Sequence, residues 1–364
     1  MAKAQRIRFS DGAHSWTVIG HNCLPAIPIQ KFIYYLYQLQ RSPNTLKSYA
    51  HHLAHFWSFV EHYKLSWKLV TLSNLADFVY WLRKPASNVF AINDSVSKRT
   101  DSTINTIIAA VTSFYRFQEE LGEGPFFNAY FQSIDHKTPY KPLLHHLNTD
   151  QTITRRKIKI KYPRHLPAIL TQEQVLEAVH LCQRLRDKFL LLLLYQTGMR
   201  IGQALGLFHS DIHSWDNEIY LIPRTNHINS ARAKSIHPNI IPVPKQLMGL
   251  YSNYVIHELE EIHSDYVFVC LKTQCRGKPL DYYTVQKLFD KLSRKLPFKI
   301  TPHMLRHTHA TELIRSGWDM AYVKKRLGHK DIQTTINTYI HLCTEDIKAA
   351  LHQYEQRINH AKID

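Results

Sequence analysis

Acidic residues are scarce in this chain: 29 Asp+Glu stand against 46 Lys+Arg, for a net charge of +17. Such a deficit favours a polyanionic partner, because each phosphate neutralised by a cation releases counterions. The plainer reading is a basic protein with no such partner. Cysteine is sparse too. Cys23, Cys182, Cys270, Cys275 and Cys343 are an odd, scattered set without a C-x-x-C pair, which argues against a zinc knuckle or a disulfide framework and fits a reducing compartment. The longest apolar run, F-L-L-L-L-L-Y at 189–195, is far too short to cross a bilayer and reads as a buried helix. No apolar stretch follows the basic residues of M-A-K-A-Q-R-I-R-F-S-D-G, so no signal peptide is expected. Neither a P-loop, a G-x-G-x-x-G nor an internal repeat is present, and nucleotide cofactors have no support. These absences describe a soluble cytoplasmic protein.

What is present is enough apolar sequence, 44% of 364 residues, for two domains with their own cores. After an N-terminal extension (1–21), residues 22–132 read as a helical bundle. Leu46, Tyr49, Leu53, Phe56, Trp57 and Val60 recur at steps of three and four, and Ile104, Ile107, Ile108, Val111 and Tyr115 repeat the pattern ahead of a stop at Gly122. Residues 133–165 lose that period, hold three prolines and a run of basic residues, and read as an interdomain linker. Such a run could be merely solvated, or it could lie on a phosphate backbone. A second domain (166–345) opens at a capping box of Thr171 and Gln174. N-E-I-Y-L-I-P and N-I-I-P-V-P read as strands, and S-D-Y-V-F-V-C as a third. Residues 346–364 form a C-terminal tail with amphipathic helical spacing, able to dock on a neighbouring subunit or to cap its own domain. The expected fold is mainly α with a small antiparallel β-sheet.

The stretch T-P-H-M-L-R-H-T-H-A-T-E-L-I (301–314) could be chemical. His303 and His307 stand four apart, as on a zinc-binding helix. A catalytic zinc helix also needs a third ligand and a carboxylate base, whereas Arg306 sits between these two. A guanidinium repels a cation and offers no lone pair. His303 and Arg306, three apart, present donors to one point, as a phosphate requires. Each histidine taken alone could equally be an ordinary, satisfied side chain.

Further boxes stand in order around this one: T-G-M-R-I-G-Q-A-L-G-L with Arg200, A-R-A-K-S-I-H-P-N-I-I-P-V-P with Lys234, H-M-L-R-H-T-H-A-T with His303 and Arg306, and L-G-H-K-D-I-Q-T-T-I-N-T-Y with His329 and Tyr339. Arg, Lys, His-x-x-Arg, His and Tyr in that order resemble the tyrosine recombinase (phage integrase) family. The resemblance covers the second domain and, more loosely, the first, through S-P-N-T-L-K-S-Y-A-H-H-L-A-H-F-W-S-F-V. It implies a helical, SAM-like core-binding domain followed by an α+β catalytic domain.

The resemblance further implies that Tyr339 attacks a DNA phosphodiester, forming a 3′-phosphotyrosyl bond and releasing a 5′-hydroxyl. Arg200 and Arg306 would clamp the non-bridging oxygens, Lys234 would protonate the leaving oxygen, and His303 and His329 would donate hydrogen bonds or move the tyrosine proton. Arg232 and Lys245 lie near Lys234 and compete for its assignment. His307 and His309 fall to supporting or packing roles, and Cys343 is incidental. No metal, ATP or other cofactor is implied. The implied partners are double-stranded DNA with a specific core site, three further copies of the chain around a Holliday junction, and accessory recombinases or element-encoded factors; the host would be bacterial, the protein nucleoid-associated. Gln203 stands where the family commonly has glutamate, which puts the local pairing in doubt. The residues leading into Lys234 resemble those of transposon-encoded recombinases. A type IB topoisomerase and a DNA-binding regulator with a decayed site are the competing readings, and a metallohydrolase is a third.

Overall fold

The computed structural model describes residues 1–8, 12, 14–83, 99–125, 130–134, 152–156, 158–161, 168–224, 229, 231, 238–328 and 355, with the strands at 130–134 and 152–156 described as backbone. The chain divides into two compact units, Met1–Arg164 and His165–Asp364. Helix dominates both, with small antiparallel sheets.

Four helices, α1 (Ile27–Gln38), α2 (Pro43–His62), α3 (Leu72–Arg83) and α4 (Asp101–Glu120), build the first unit. Capping sets their starts: Ser42 accepts from the Thr45 N–H ahead of Pro43, and Thr100 accepts from the Thr103 N–H. The apolar faces then close on a core of aromatic rings. Phe56 meets Phe78 and Tyr115 edge-on, and Phe32 meets Phe114 in the same way. Gly122 ends the α4 region at φ +70°.

Two segments without helical period are also built into this unit. β1 (Lys3–Arg8) and β2 (His14–Ile19) form an antiparallel hairpin, Lys3 opposite Ile19. Val18 is fully buried against the bundle, and the Ala2 N–H donates to Ser58 Oγ at 2.9 Å. Ala2 and Val18 are therefore part of the first core, with Ala4 and Trp16 packed against it. Within the segment read as a linker, β4 (Thr152–Arg156) pairs antiparallel with β3 (Tyr130–Ile134). Beyond it, Ile158 and Ile160 pack on the first core while Lys159 and Lys161 face solvent. Asn105 of α4 holds the Ile160 backbone at both its N–H and its carbonyl, each at 2.9 Å. The basic run alternates with period two, which is how a charged strand can keep an apolar edge.

The second unit is wound around α6 (Leu185–Thr197). Phe189, Leu190, Leu191, Leu193 and Leu194 are all fully buried, so this helix is covered on several faces, chiefly by α8 (Lys245–Glu258) and α10 (Pro302–Arg315). α5 (Gln172–His180) carries the predicted capping box, Thr171 accepting from the Gln174 N–H and Gln174 from the Thr171 N–H. α9 (Tyr282–Lys295), the one-turn α7 (Ile201–Ala204) and α11 (Met320–Leu327) complete the described helices. Among the described residues no helix is long and apolar enough to cross a membrane.

The sheet of this unit has the order β5-β6-β7, antiparallel throughout: Ile212–His213, Glu218–Leu221 and Asn239–Pro242. Two of its strands are those expected, but the third is Ile212–His213 and not S-D-Y-V-F-V-C. That stretch makes only single bridges, Phe208 to Tyr266 and Val269 to Pro279. Val267, Phe268 and Val269 are all fully buried. A segment buried on both sides lacks the solvent-facing alternation of a sheet strand at the surface, so it threads the core instead.

A second correction concerns cysteine. The structure joins Cys270 to Cys275 in a disulfide, against the expectation of none. The chain doubles back here: the Gly277 N–H donates to the Cys270 carbonyl and the Cys270 N–H to the Lys278 carbonyl. That turn brings the two Cα atoms to 5.7 Å, ordinary bridging reach. Spacing rules for zinc or redox pairs do not report such a local reversal.

Candidate active site

Described parts of the boxes meet at the end of α6. This helix stops at Gly198, whose φ of +63° is a left-handed cap. Two residues on, Arg200 caps α7 and its N–H donates to Gln203 Oε1 at 2.8 Å. Gln203 is buried. Where a glutamate would place a charge, the amide oxygen makes the same contact to the Arg200 backbone without one.

α10 starts at Thr301, which accepts from the Met304 N–H, with Pro302 in its first turn. His303 is exposed on that turn, and Arg306, one turn on, is only 5% exposed. Arg306 Nη1 donates to the Gly198 carbonyl at 2.6 Å and Nη2 to the Leu327 carbonyl at 2.8 Å. Both acceptors sit where helices end, at the caps of α6 and α11, where backbone carbonyls lack partners within the helix and the dipole is negative. A buried guanidinium is stable there because its donors are matched. Arg200 and Arg306 are thus tied to neighbouring turns: the carbonyl that holds Arg306 belongs to the residue two before Arg200.

The histidines of α10 divide by environment. Burial, then His303 and Arg306, push the His307 imidazole down to about 4. Burial, then Arg326 and Arg306, push His309 down to about 3. Both are neutral at physiological pH. His309 Nε2 accepts from Arg326 Nε at 3.0 Å. A metal reading gains nothing from this geometry, because guanidiniums flank the imidazoles; among the described residues no three His, Cys, Asp or Glu side chains cluster as a metal site would need.

Gly198 is enclosed by this arrangement. A Cβ there would sit 2.7 Å from His309 Cδ2 and 2.7 Å from Leu327 Cδ2. Gly198→Ala combines a left-handed backbone with overpacking against a ring held by Arg326. We expect it to destabilise the second unit by roughly 2–5 kcal/mol, read as a lower urea midpoint with unchanged slope.

Lys234, His329 and Tyr339 lie outside the described residues, as does Cys343. The approaches to two of them are described. Arg224 makes a bidentate pair with Asp211, 2.7 Å on each arm, and lies over the Phe208 ring. Asn229 Nδ2 donates to the Leu205 and Leu280 carbonyls, both at 2.9 Å. These residues fasten the chain on its way to Lys234. α11 leads to His329 and ends at Gly328, φ +62°. Arg224, Asn229 and Arg326 were not legible as site residues in the sequence. Each is a common polar residue whose partners are backbone carbonyls or side chains that no spacing rule reports.

Comparisons with known proteins bear on this geometry. The phage integrase family model matches residues 168–346, and the phage integrase N-terminal SAM-like domain matches 29–120. Transposase A from transposon Tn554 of Staphylococcus aureus is 40% identical over 337 residues, 92% of each chain. Tyrosine recombinase XerA of Pyrococcus horikoshii is 26% identical over 324 residues, 89% of this chain and 92% of that one. Among solved structures, XerH site-specific recombinase bound to a palindromic difH substrate matches with a TM-score of 0.59 at 18% identity, over 86% of this chain and 80% of that chain; the likeness is one of fold. With both family segments in order and a 40% identical relative across nearly its whole length, this chain belongs to the phage integrase family, the tyrosine recombinases.

Proposed function

We propose that this protein is a transposon-type site-specific DNA recombinase that cleaves and rejoins DNA through a phosphotyrosyl bond at Tyr339. The observation that carries the reading is Arg306, a buried guanidinium held between the caps of α6 and α11, within two residues of Arg200 on one side and of His329 on the other. Carbonyls fix its orientation before any substrate arrives, the preorganisation that stabilises a transition-state anion without reorganisation at the moment of reaction.

In this reading Arg200 and Arg306 bind the non-bridging oxygens of the scissile phosphate. Tyr339 Oη attacks phosphorus, the phosphorus–O5′ bond breaks, and Lys234 gives its proton to the departing 5′-oxygen. His303 and His329 assist by hydrogen bonding or by taking the tyrosine proton. The ester energy is retained in the phosphotyrosyl bond, so a second 5′-hydroxyl can reverse the step without ATP. The guanidiniums supply the charge stabilisation that a metal supplies in many phosphoryl transfers. The net charge of +17 suits a phosphate-lined partner, and the names of the similar proteins support DNA as that partner. Strand exchange in pairs calls for four copies on two DNA sites, with His165–Asp364 as the catalytic unit.

The test uses randomised duplexes carrying a nick, so that a cleaved 5′-hydroxyl fragment diffuses away and covalent complex accumulates. Protein-linked DNA should form in EDTA, and digestion should place the DNA on the peptide that contains Tyr339. Linkage to another residue, or adduct only with added metal, would overturn the assignment.

A further inference from the structure

We infer that His309 and Arg326 act as a positioning pair that locks together the segments carrying the reactive residues. The inference rests on Arg306 being a phosphate ligand and adds two residues that touch no substrate. Arg326 Nε donates to His309 Nε2 at 3.0 Å, and its Nη2 donates to the Gln196 carbonyl at 2.9 Å and to the Pro242 carbonyl at 3.2 Å. The other side of the His309 ring meets the Tyr195 backbone. One guanidinium and one imidazole thereby join four elements: the last turn of α6, the end of β7, α10 and α11. Each borders a box. Arg200 follows α6, Lys234 precedes β7, Arg306 lies on α10, and His329 follows α11.

The chemistry of the pair explains why histidine stands here. Arg326 needs an acceptor, so the imidazole must be neutral. His309 is 6% exposed between two guanidiniums, and that setting keeps it so. It accepts on Nε2 and donates on Nδ1, a two-sided linkage that neither a carboxylate nor a phenyl ring offers. Arg326 in turn satisfies a carbonyl at the α6 C-terminus that has no partner within the helix. Arg306 does the same at Gly198, so the two guanidiniums hold carbonyls two residues apart at the same helix end. Loss of one hold lets the α6–α11 spacing, and with it the Arg306 fork, move.

The experiment compares His309→Phe, His309→Gln, and His309→Phe combined with Arg326→Met. It reads the single-turnover rate of adduct formation at saturating nicked DNA, the DNA concentration at half-saturation, and the urea midpoint. His309→Phe should slow adduct formation by about 100-fold, as a displacement near 1 Å does, with half-saturation little changed. His309→Gln, which restores an acceptor near Nε2, should regain at least ~10-fold of that loss. The double variant no longer leaves a guanidinium facing a phenyl ring, but it also strips the Gln196 and Pro242 carbonyls of their donor, so folding stability should return only in part while the rate stays low. Recovery of the rate together with the urea midpoint would make the pair a folding element only, and a Gln variant as slow as Phe would overturn the acceptor role. A further readout does not depend on cleavage: in arginine-labelled protein, the slowly exchanging guanidinium N–H signal of Arg306 should lose protection in His309→Phe. If wild type gave no adduct, the site reading would fail, and an unchanged Arg306 signal would independently overturn the pair.

Discussion

Tyr339→Phe should form no covalent DNA complex on a nicked substrate, while wild type accumulates it. The change removes one oxygen. A phenyl ring keeps the shape and apolar surface but has no atom that can attack phosphorus, and no alternative nucleophile in the boxes matches the family arrangement. Removing an enzyme's nucleophile costs on the order of 10⁶-fold, which lies below detection here. DNA affinity and its salt dependence should stay as in wild type, because contacts from basic side chains to phosphates dominate binding. The outcome that sinks the assignment is an adduct that persists in the variant. A variant that has lost both adduct and DNA binding has unfolded, and Tyr339→Leu cannot stand in for it, since that change also alters packing.

Arg306→Ala is expected to lose both chemistry and stability, in amounts that separate its two roles. Without the guanidinium, the Gly198 and Leu327 carbonyls lose their buried donors. An orphaned buried acceptor costs about 1–3 kcal/mol, so the second unit should lose roughly 2–6 kcal/mol on summing the two. Removing one preorganised donor of a developing anion costs about 10²–10³ in rate. Arg306→Lys tests the fork itself. An ammonium keeps the charge, but as a compact point it cannot span two carbonyls and a phosphate in one plane. It should recover part of the urea midpoint and little of the cleavage rate. A lysine variant cleaving at the wild-type rate would show that charge alone suffices.

Helices that frame the candidate site were legible because their starts follow local rules. Thr171 and Gln174 form a capping box wherever such a pair begins a helix, and Thr301-Pro302 starts α10 by capping preferences of the same kind. The run at 189–195 could only be a buried helix, and the spacing of apolar residues outlined α2 and α4. Arg306 between His303 and His307 argued against a cation by charge alone. The boxes named Arg200, Lys234, His303, Arg306, His329 and Tyr339 through resemblance to a family; no periodicity would have found Tyr339 among twenty tyrosines.

Other features depend on partners distant in sequence. The N-terminal hairpin lacks a strong pattern because it sends few apolar residues against the bundle, Ala2, Ala4, Trp16 and Val18, two of them small. The linker reading missed Ile158 and Ile160, since two isoleucines among lysines look solvated until Asn105 fixes the Ile160 backbone. Cys270 and Cys275 meet only because the chain reverses between them. The strand expected at 264–270 threads the core, with Val267, Phe268 and Val269 all fully buried.

By itself, then, the sequence determined that α2, α4, α5 and α6 form, how α5 starts, and which side chains carry the charge that a phosphate would need. Tertiary structure decided what Arg306 binds, why Gly198 cannot carry a side chain, and why His309 is neutral. Capping and periodicity act over a few residues and are written in order along the chain. Burial, carbonyl orientation and the suppression of a proton between two guanidiniums arise only when α6, α10 and α11 come together.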